Sequence, residues 1–196
     1  DVPDVYPAFN AYTADDYAHL EAQLAHMRAL AAAHGAPLMI TETDRGHDKI
    51  KRELLSGVKL ISPYNQVGGS DIDMTNGISN WAEDARRPLA LMASDYDFCS
   101  MITVDGRLRP EAGKARLLGS LICSLGEHLA AAEPCAAPVW PVCDFPTARK
   151  PREDGLNEPC FPALKMDCGW LFGVSNLGAS EGVMRFATED GEASVR

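Results

Sequence analysis

Apolar positions along the chain fall into three kinds of pattern. Leu20, Leu24, Met27 and Ala31 recur at helical spacing. They predict a helix that starts at Thr13-Ala-Asp-Asp16, with Thr13 as N-cap and Asp16 at N3, and stops at Gly35. Before it, residues 1–12 predict a short extended segment ended by Pro7 and followed by a loop. After it, Pro37-Leu-Met-Ile-Thr-Glu42 is a short apolar run that ends in a polar residue, the signature of a buried parallel strand. Residues 47–56 predict a short helix with Ile50, Leu54 and Leu55 on one side and Gly57 as its stop. Val58-Lys-Leu-Ile-Ser-Pro-Tyr64 predicts a second buried strand. A long loop comes next, roughly 65–93, with Gly68-Gly69, Asn76-Gly77 and Trp81. Pro110 suits the first turn of a helix over about 110–132, where Leu117, Leu118, Leu121, Ile122, Leu125 and Leu129 form an apolar face. Residues 133–162 are rich in Pro and Cys, show no period, and are expected to be a linker. From 163 to 195 short strand-like runs, Leu171-Phe-Gly-Val174 and Val183-Met-Arg-Phe186, alternate with turn signals.

The order strand–helix–strand–helix–strand–loop–helix predicts an α/β fold in which parallel strands are joined by crossover helices. About three such units are present, and a three-strand parallel sheet leaves both edges open and one face under-covered. A closed (β/α)8 barrel takes about 250 residues. The chain is therefore expected to be part of a larger fold.

Composition narrows the function classes. The formal charge is −10, from 18 Lys plus Arg and 28 Asp plus Glu, and no window is strongly basic. Nucleic acid and anionic membrane surfaces are disfavoured as partners, whereas a neutral or cationic ligand is compatible. No apolar run approaches the 18 or so residues of a membrane span. The sequence opens at Asp1 with no visible signal peptide, and that opening has the look of the interior of a longer chain; the compartment is left open. The six cysteines include no Cys-x-x-Cys. Cys135-x7-Cys143 and Cys160-x7-Cys168 are too widely spaced for structural zinc pairs, so free thiols packed as small apolar residues are expected, with no metal and no cofactor.

Glu42 is the leading candidate for chemistry, because it stands where a buried strand opens. A carboxylate there serves as a nucleophile, general base or metal ligand; its competing role is a helix cap or an ion pair with Arg45 or Arg52. Tyr6 and Tyr64 are expected to end the first and third strands in the same manner, so that two phenols and a carboxylate face one cavity. Each tyrosine alone reads equally as an amphipathic residue at the rim of a core. Trp81, beside Asn80, offers either a face for a sugar ring or a plug for its loop. Tyr96, in Ser94-Asp-Tyr-Asp97, is a further candidate for the cavity, and Asp95 and Asp97 are expected to hold the loop by accepting backbone hydrogen bonds. The five histidines do not cluster, and no Gly-x-Ser-x-Gly, P-loop or Gly-x-Gly-x-x-Gly motif occurs.

Three segments, in order, resemble the second half of the catalytic barrel of family-35 glycoside hydrolases, the β-galactosidase family. Pro37-Leu-Met-Ile-Thr-Glu42 is similar to its nucleophile strand. Tyr64-Asn-Gln-Val-Gly-Gly-Ser-Asp71 resembles its Tyr-Met-Phe-His-Gly-Gly-Thr-Asn loop, and Ser94-Asp-Tyr-Asp97 resembles its Ser-Tyr-Asp-Tyr-Asp segment. Asp4-Val-Tyr-Pro7 fits the preceding strand, and the similarity spans roughly residues 1–130. Val67 and Asp71 stand where the family has His and Asn, and Asp44-Arg-Gly-His47 replaces its aromatic stretch.

The resemblance implies the last three or so βα units of a (β/α)8 TIM barrel over 1–132, a linker over 133–162, and the start of a β-sandwich-like domain over 163–196. It implies a retaining exo-glycosidase, a β-galactosidase, with Glu42 as nucleophile, Tyr64 and Tyr96 in the sugar pocket and Tyr6 near it. The partners implied are a galactoside or related oligosaccharide and the remainder of the barrel. Retaining hydrolysis needs two carboxyl groups about 5–5.5 Å apart. The family's acid/base glutamate comes directly after an Asn, and no Asn-Glu precedes Glu42 here. The segment alone is therefore expected to be inactive. Alternatives are a retaining glycosidase of the same barrel type on another sugar, and a non-catalytic carbohydrate-binding relative.

Overall fold

A computed structural model describes residues 5–12, 17–70, 95–97, 99–135, 142–143, 163–173, 180–188 and 191–195. The chain divides into two compact units, one of residues 1–62 with 125–196, the other of residues 63–124, a division that does not match the boundaries at 132 and 163.

In the first unit, strands β1 (Phe9–Ala11), β2 (Met39–Thr43) and β3 (Leu60–Pro63) form one sheet in that order. β1 and β2 run parallel and are joined by helix α1 (Tyr17–Ala33); α2 (His47–Leu55) joins β2 to β3. The predicted apolar stripe of α1 is buried: Leu20, Leu24 and Met27 pack with Ala11, Leu38, Ile40 and Val58, and Phe9 and Ile61 flank them. Ile50, Leu54 and Leu55 of α2 are buried as their spacing predicts, but so are Lys49, Arg52 and Glu53. Arg52 is tied across to Glu21 of α1 at 2.5 Å, which neutralises both charges where the helices meet.

Both helices end at the predicted glycines by the same device. Gly35 and Gly57 have φ of 63° and 85°, the left-handed region that a residue without Cβ enters at little cost. Gly35 N donates to Ala32 O and Ala36 N to Ala31 O; Gly57 N donates to Leu54 O and Val58 N to Glu53 O. These crossed pairs satisfy the last helical carbonyls and throw the chain directly into the next strand.

The first strand is displaced from its expected place. It begins two residues after Pro7 rather than ending there, so Tyr6 precedes the strand and is 56% exposed. The expected linker is also corrected in part: β6 (Glu133–Cys135) and β7 (Val142–Cys143) fall within it. β6 pairs antiparallel with β8 (Ala163–Met166), which pairs with β9 (Gly169–Phe172). β7 pairs antiparallel with β10 (Met184–Thr188), which pairs with β11 (Gly191–Val195). Segments of two or three residues are too short to show a period.

In the second unit, β4 (Gly69–Ser70) pairs antiparallel with β5 (Asp95–Tyr96). Gly68 makes a close backbone approach: a Cβ there would meet Val104 N at 2.9 Å. Asp97 organises this unit. Its carboxylate accepts two bonds from the Arg109 guanidinium, at 2.7 and 2.8 Å, and two more from the Ser100 N–H and hydroxyl. Those donors hold it well below the usual carboxylate range, Arg109 foremost.

Helix α3 (Pro110–Ala131) starts at Pro110 as predicted. Its apolar face is only partly covered: Leu118 and Leu129 are buried, whereas Leu117 is 74% and Leu121 41% exposed. The cysteine expectation is corrected similarly. Cys99, Cys123 and Cys168 are free, but exposed rather than packed. Among the described residues no helix is long and apolar enough to cross a membrane.

Candidate functional site

Glu42 owes its orientation to an irregularity in β2. Along a regular strand, side chains alternate between faces, so Ile40 and Glu42 should share one. Ile40 is fully buried in the core against α1, which would send Glu42 there too. The pairing with β1 breaks that rule. Phe9 opposes Ile40, and the next residue, Asn10, opposes Glu42, so Thr41 is an extra residue on β2. Such a bulge resets the alternation and re-aims the side chains beyond it. Thr43 consequently returns to the helix side, fully buried, with its hydroxyl 2.6 Å from Glu53 of α2. Glu42, its neighbour, takes the opposite face.

On that face Glu42 meets two donors from β1 and its end. Asn10 Nδ2 donates to Glu42 Oε2 at 3.3 Å, and Tyr12 Oη donates to Oε1 at 2.7 Å. Ala11 between them is buried in the core, which is why Asn10 and Tyr12 both point away from it. Each carboxylate oxygen is thus oriented by a donor of its own. The extra residue is pinned as well: Thr41 Oγ1 contacts Phe9 O at 3.2 Å and Asn10 Oδ1 at 3.3 Å.

A second layer of polar groups backs this pair of strands. Asp44 folds back to accept from Gly46 N at 2.7 Å at the start of α2, and its other oxygen accepts from Lys49 Nζ at 2.9 Å. The buried Lys49 ammonium lies 5.5 Å from the centre of the Tyr12 ring, so the ring beside Glu42 rests on a fixed cation. Glu53 is fully buried, and burial pushes its carboxyl up to about 7, against the pull of Thr43 and Lys49. Thr43 has one proton and two acceptors, Ala11 O at 3.0 Å and Glu53 Oε1 at 2.6 Å. A protonated Glu53 resolves that conflict by donating to Thr43, whose own proton then goes to Ala11 O. Glu53 Oε2 has no hydrogen-bond partner.

The expected cluster is therefore changed in membership. Tyr6 does not end a strand; Tyr12 directly succeeds β1, and it is Tyr12 that bonds Glu42. Tyr64 comes immediately after β3, as predicted, and is half-buried. Tyr96 lies in β5, where its backbone opposes Gly69. Trp81 and Asn80 lie outside the described residues. Arg52, offered as an ion-pair partner for Glu42, pairs with Glu21 instead. The signal for Tyr12 was present as the alternation Asn10-Ala11-Tyr12 after Phe9, masked by treating Pro7 as a strand end. Asp97 holds its segment through a backbone N–H, the role expected of it.

Compared with protein-family models, with curated proteins and with solved structures, the chain finds no match in any of the three.

Proposed function

We propose that this chain belongs to a retaining glycoside hydrolase of the β-galactosidase type, with Glu42 as the nucleophile. The observation that carries the reading is the bulge at Thr41, which aims the carboxylate away from the core and into two donors. Hydrogen bonds to both oxygens fix the plane of the carboxylate, so one lone pair is presented in a set direction without a rotamer search during reaction. The order and spacing of the Glu42, Tyr64-to-Asp71 and Ser94-to-Asp97 segments supply the family expectation.

In this reading Glu42 attacks the anomeric carbon of a terminal β-galactosyl residue. The carbon–oxygen bond to the leaving group breaks, and a glycosyl ester forms on the carboxylate. A second carboxyl group protonates the departing oxygen and later takes a proton from water, which displaces the sugar from Glu42. The reading assigns that group to a part of the barrel this sequence does not contain, since Glu21 is committed to Arg52. Tyr64 and Tyr96 are assigned to the sugar pocket and Tyr12 to positioning the nucleophile. No cofactor takes part, and the barrel itself, with a β-rich domain after it, belongs to the same proposal.

The test uses the whole protein in which this chain occurs. A 2-deoxy-2-fluoro-β-galactosyl fluoride should inactivate it and leave a stable glycosyl adduct on the peptide that holds Glu42, read by mass spectrometry. Glu42→Gln should lower kcat on a nitrophenyl β-galactoside by a factor of about 10⁴ or more. An adduct on another residue, or unchanged turnover in the variant, removes Glu42 from the mechanism. Faster turnover on a different nitrophenyl glycoside keeps the hydrolase and replaces the sugar.

A further inference from the structure

A second cluster of polar side chains lies in the first unit, among residues to which the proposed hydrolase assigns no part in its sugar site. His128 stands in the last turn of α3, and Asp167 and Cys168 are the two residues of the turn between β8 and β9. The ladder beyond α3 brings them together. β6 begins at Glu133, almost directly after the helix ends, and Glu133 opposes Lys165 near the end of β8. An antiparallel partner of a strand that leaves the helix must return its far end to the helix. The hairpin turn is thus delivered to the last helical turn by register. His128 Nδ1 lies 2.6 Å from Asp167 Oδ1, and the nitrogen, oxygen and sulfur donors of the three residues all lie within 4.8 Å of one another.

We propose that His128, Asp167 and Cys168 form a site for a divalent transition metal ion of intermediate softness, zinc by preference, with a fourth position left open to water or another ligand. The donor set decides the class. One imidazole, one carboxylate and one thiolate favour zinc over magnesium or calcium, which take oxygen donors in larger number. The rival reading of the same residues is a cysteine nucleophile activated by histidine. The geometry argues against it, because the His128 Nδ1 is spent on the Asp167 carboxylate. Donors bound to tetrahedral zinc at about 2.0–2.3 Å lie roughly 3.3–3.8 Å apart. Opening the His–Asp contact and closing on the sulfur takes shifts of about an ångström. Asp167 and Cys168 are exposed, so their side chains are free to make them. The ion displaces the thiol proton, and the imidazole proton of His128 moves from Nδ1 to Nε2 so that Nδ1 can bind. Sequence spacing hides the site, because its donors lie 39 residues apart and only one is a cysteine.

Cobalt(II) titrated anaerobically into the metal-free chain is the test. The expected result is one ion per chain with a thiolate-to-cobalt charge-transfer band, displaced by zinc. Cys168→Ser should lose the band, and His128→Ala and Asp167→Asn should each weaken binding at least about tenfold. Far-UV circular dichroism checks that each variant keeps its fold, and where one does not, the other two decide. Zinc should also raise the melting temperature of the wild type and leave that of Cys168→Ser nearly unchanged. Affinity no tighter than millimolar, or a band that persists in Cys168→Ser and so arises from another thiol such as Cys99 or Cys123, overturns the proposal.

Discussion

At the scale of single residues, the polar layer behind Glu42 makes a pH-dependent contribution to folding. Glu53 titrates near 4.5 in an open chain and near 7 in the fold. Between those values the folded form keeps a proton that the unfolded form has released. The contribution is therefore fully present below about 4.5 and is lost as the pH rises through about 7, by on the order of 3 kcal/mol. Glu53→Gln keeps a donor for Thr43 and carries no charge. Urea denaturation at about pH 5 and about pH 8 should show the wild type weakening at the higher pH and the variant changing little across that part of the range. Equal pH slopes for the two proteins would remove Glu53 as the source. Glu42 itself was legible as a carboxylate at a strand end. Its partners Asn10 and Tyr12 were not, since the alternation Asn10-Ala11-Tyr12 marks a common face but not the parallel strand 30 or so residues away that this face meets.

At the scale of elements, the helix stops were the most legible part of the chain. Gly35 and Gly57 combine a break in helical periodicity with the residue that the left-handed turn requires. Gly57 is doubly constrained, because a Cβ there would lie 2.5 Å from the Pro134 ring of β6. Gly57→Ala should cost roughly 2 kcal/mol or more, seen as a lower urea midpoint, whereas Gly35→Ala, with open space around it, should cost only the backbone strain of about 1 kcal/mol. The face of α3 gives the opposite lesson. Leu117 and Leu118 are adjacent and identical in type, yet one is exposed and the other buried. Leu118→Ala should destabilise by about 2 kcal/mol or more and Leu117→Gln by no more than about 0.5, as thermal melts would report. Periodicity marks which residues could be covered; it does not say where the cover stops.

At the scale of the whole molecule, charge dominates. A formal charge of −10 on 196 residues repels itself in the folded state. Raising ionic strength from about 0.01 M to about 0.15 M shortens the screening length from about 30 Å to about 8 Å. The melting temperature should rise by roughly 2–4 °C with sodium chloride, and a fall would mean that ion pairs such as Arg52–Glu21 outweigh the repulsion. The alternation of helix and strand up to β3 could be read from composition and period together. The later strands were partly hidden, because pairs as short as β7 hold their place only through a distant partner.

The bulge in β2 has one further consequence, which concerns counting rather than chemistry. Substitutions at Thr41 leave the number of residues between Ile40 and Thr43 intact. A deletion there would let the strand regain its regular pleat with Ile40 inward and the carboxylate still outward, whereas a strand of the present length that lost the bulge would turn the carboxylate inward, against α1. Homologous chains that hold Glu42 on its present face should therefore either retain the bulge or be one residue shorter at this point.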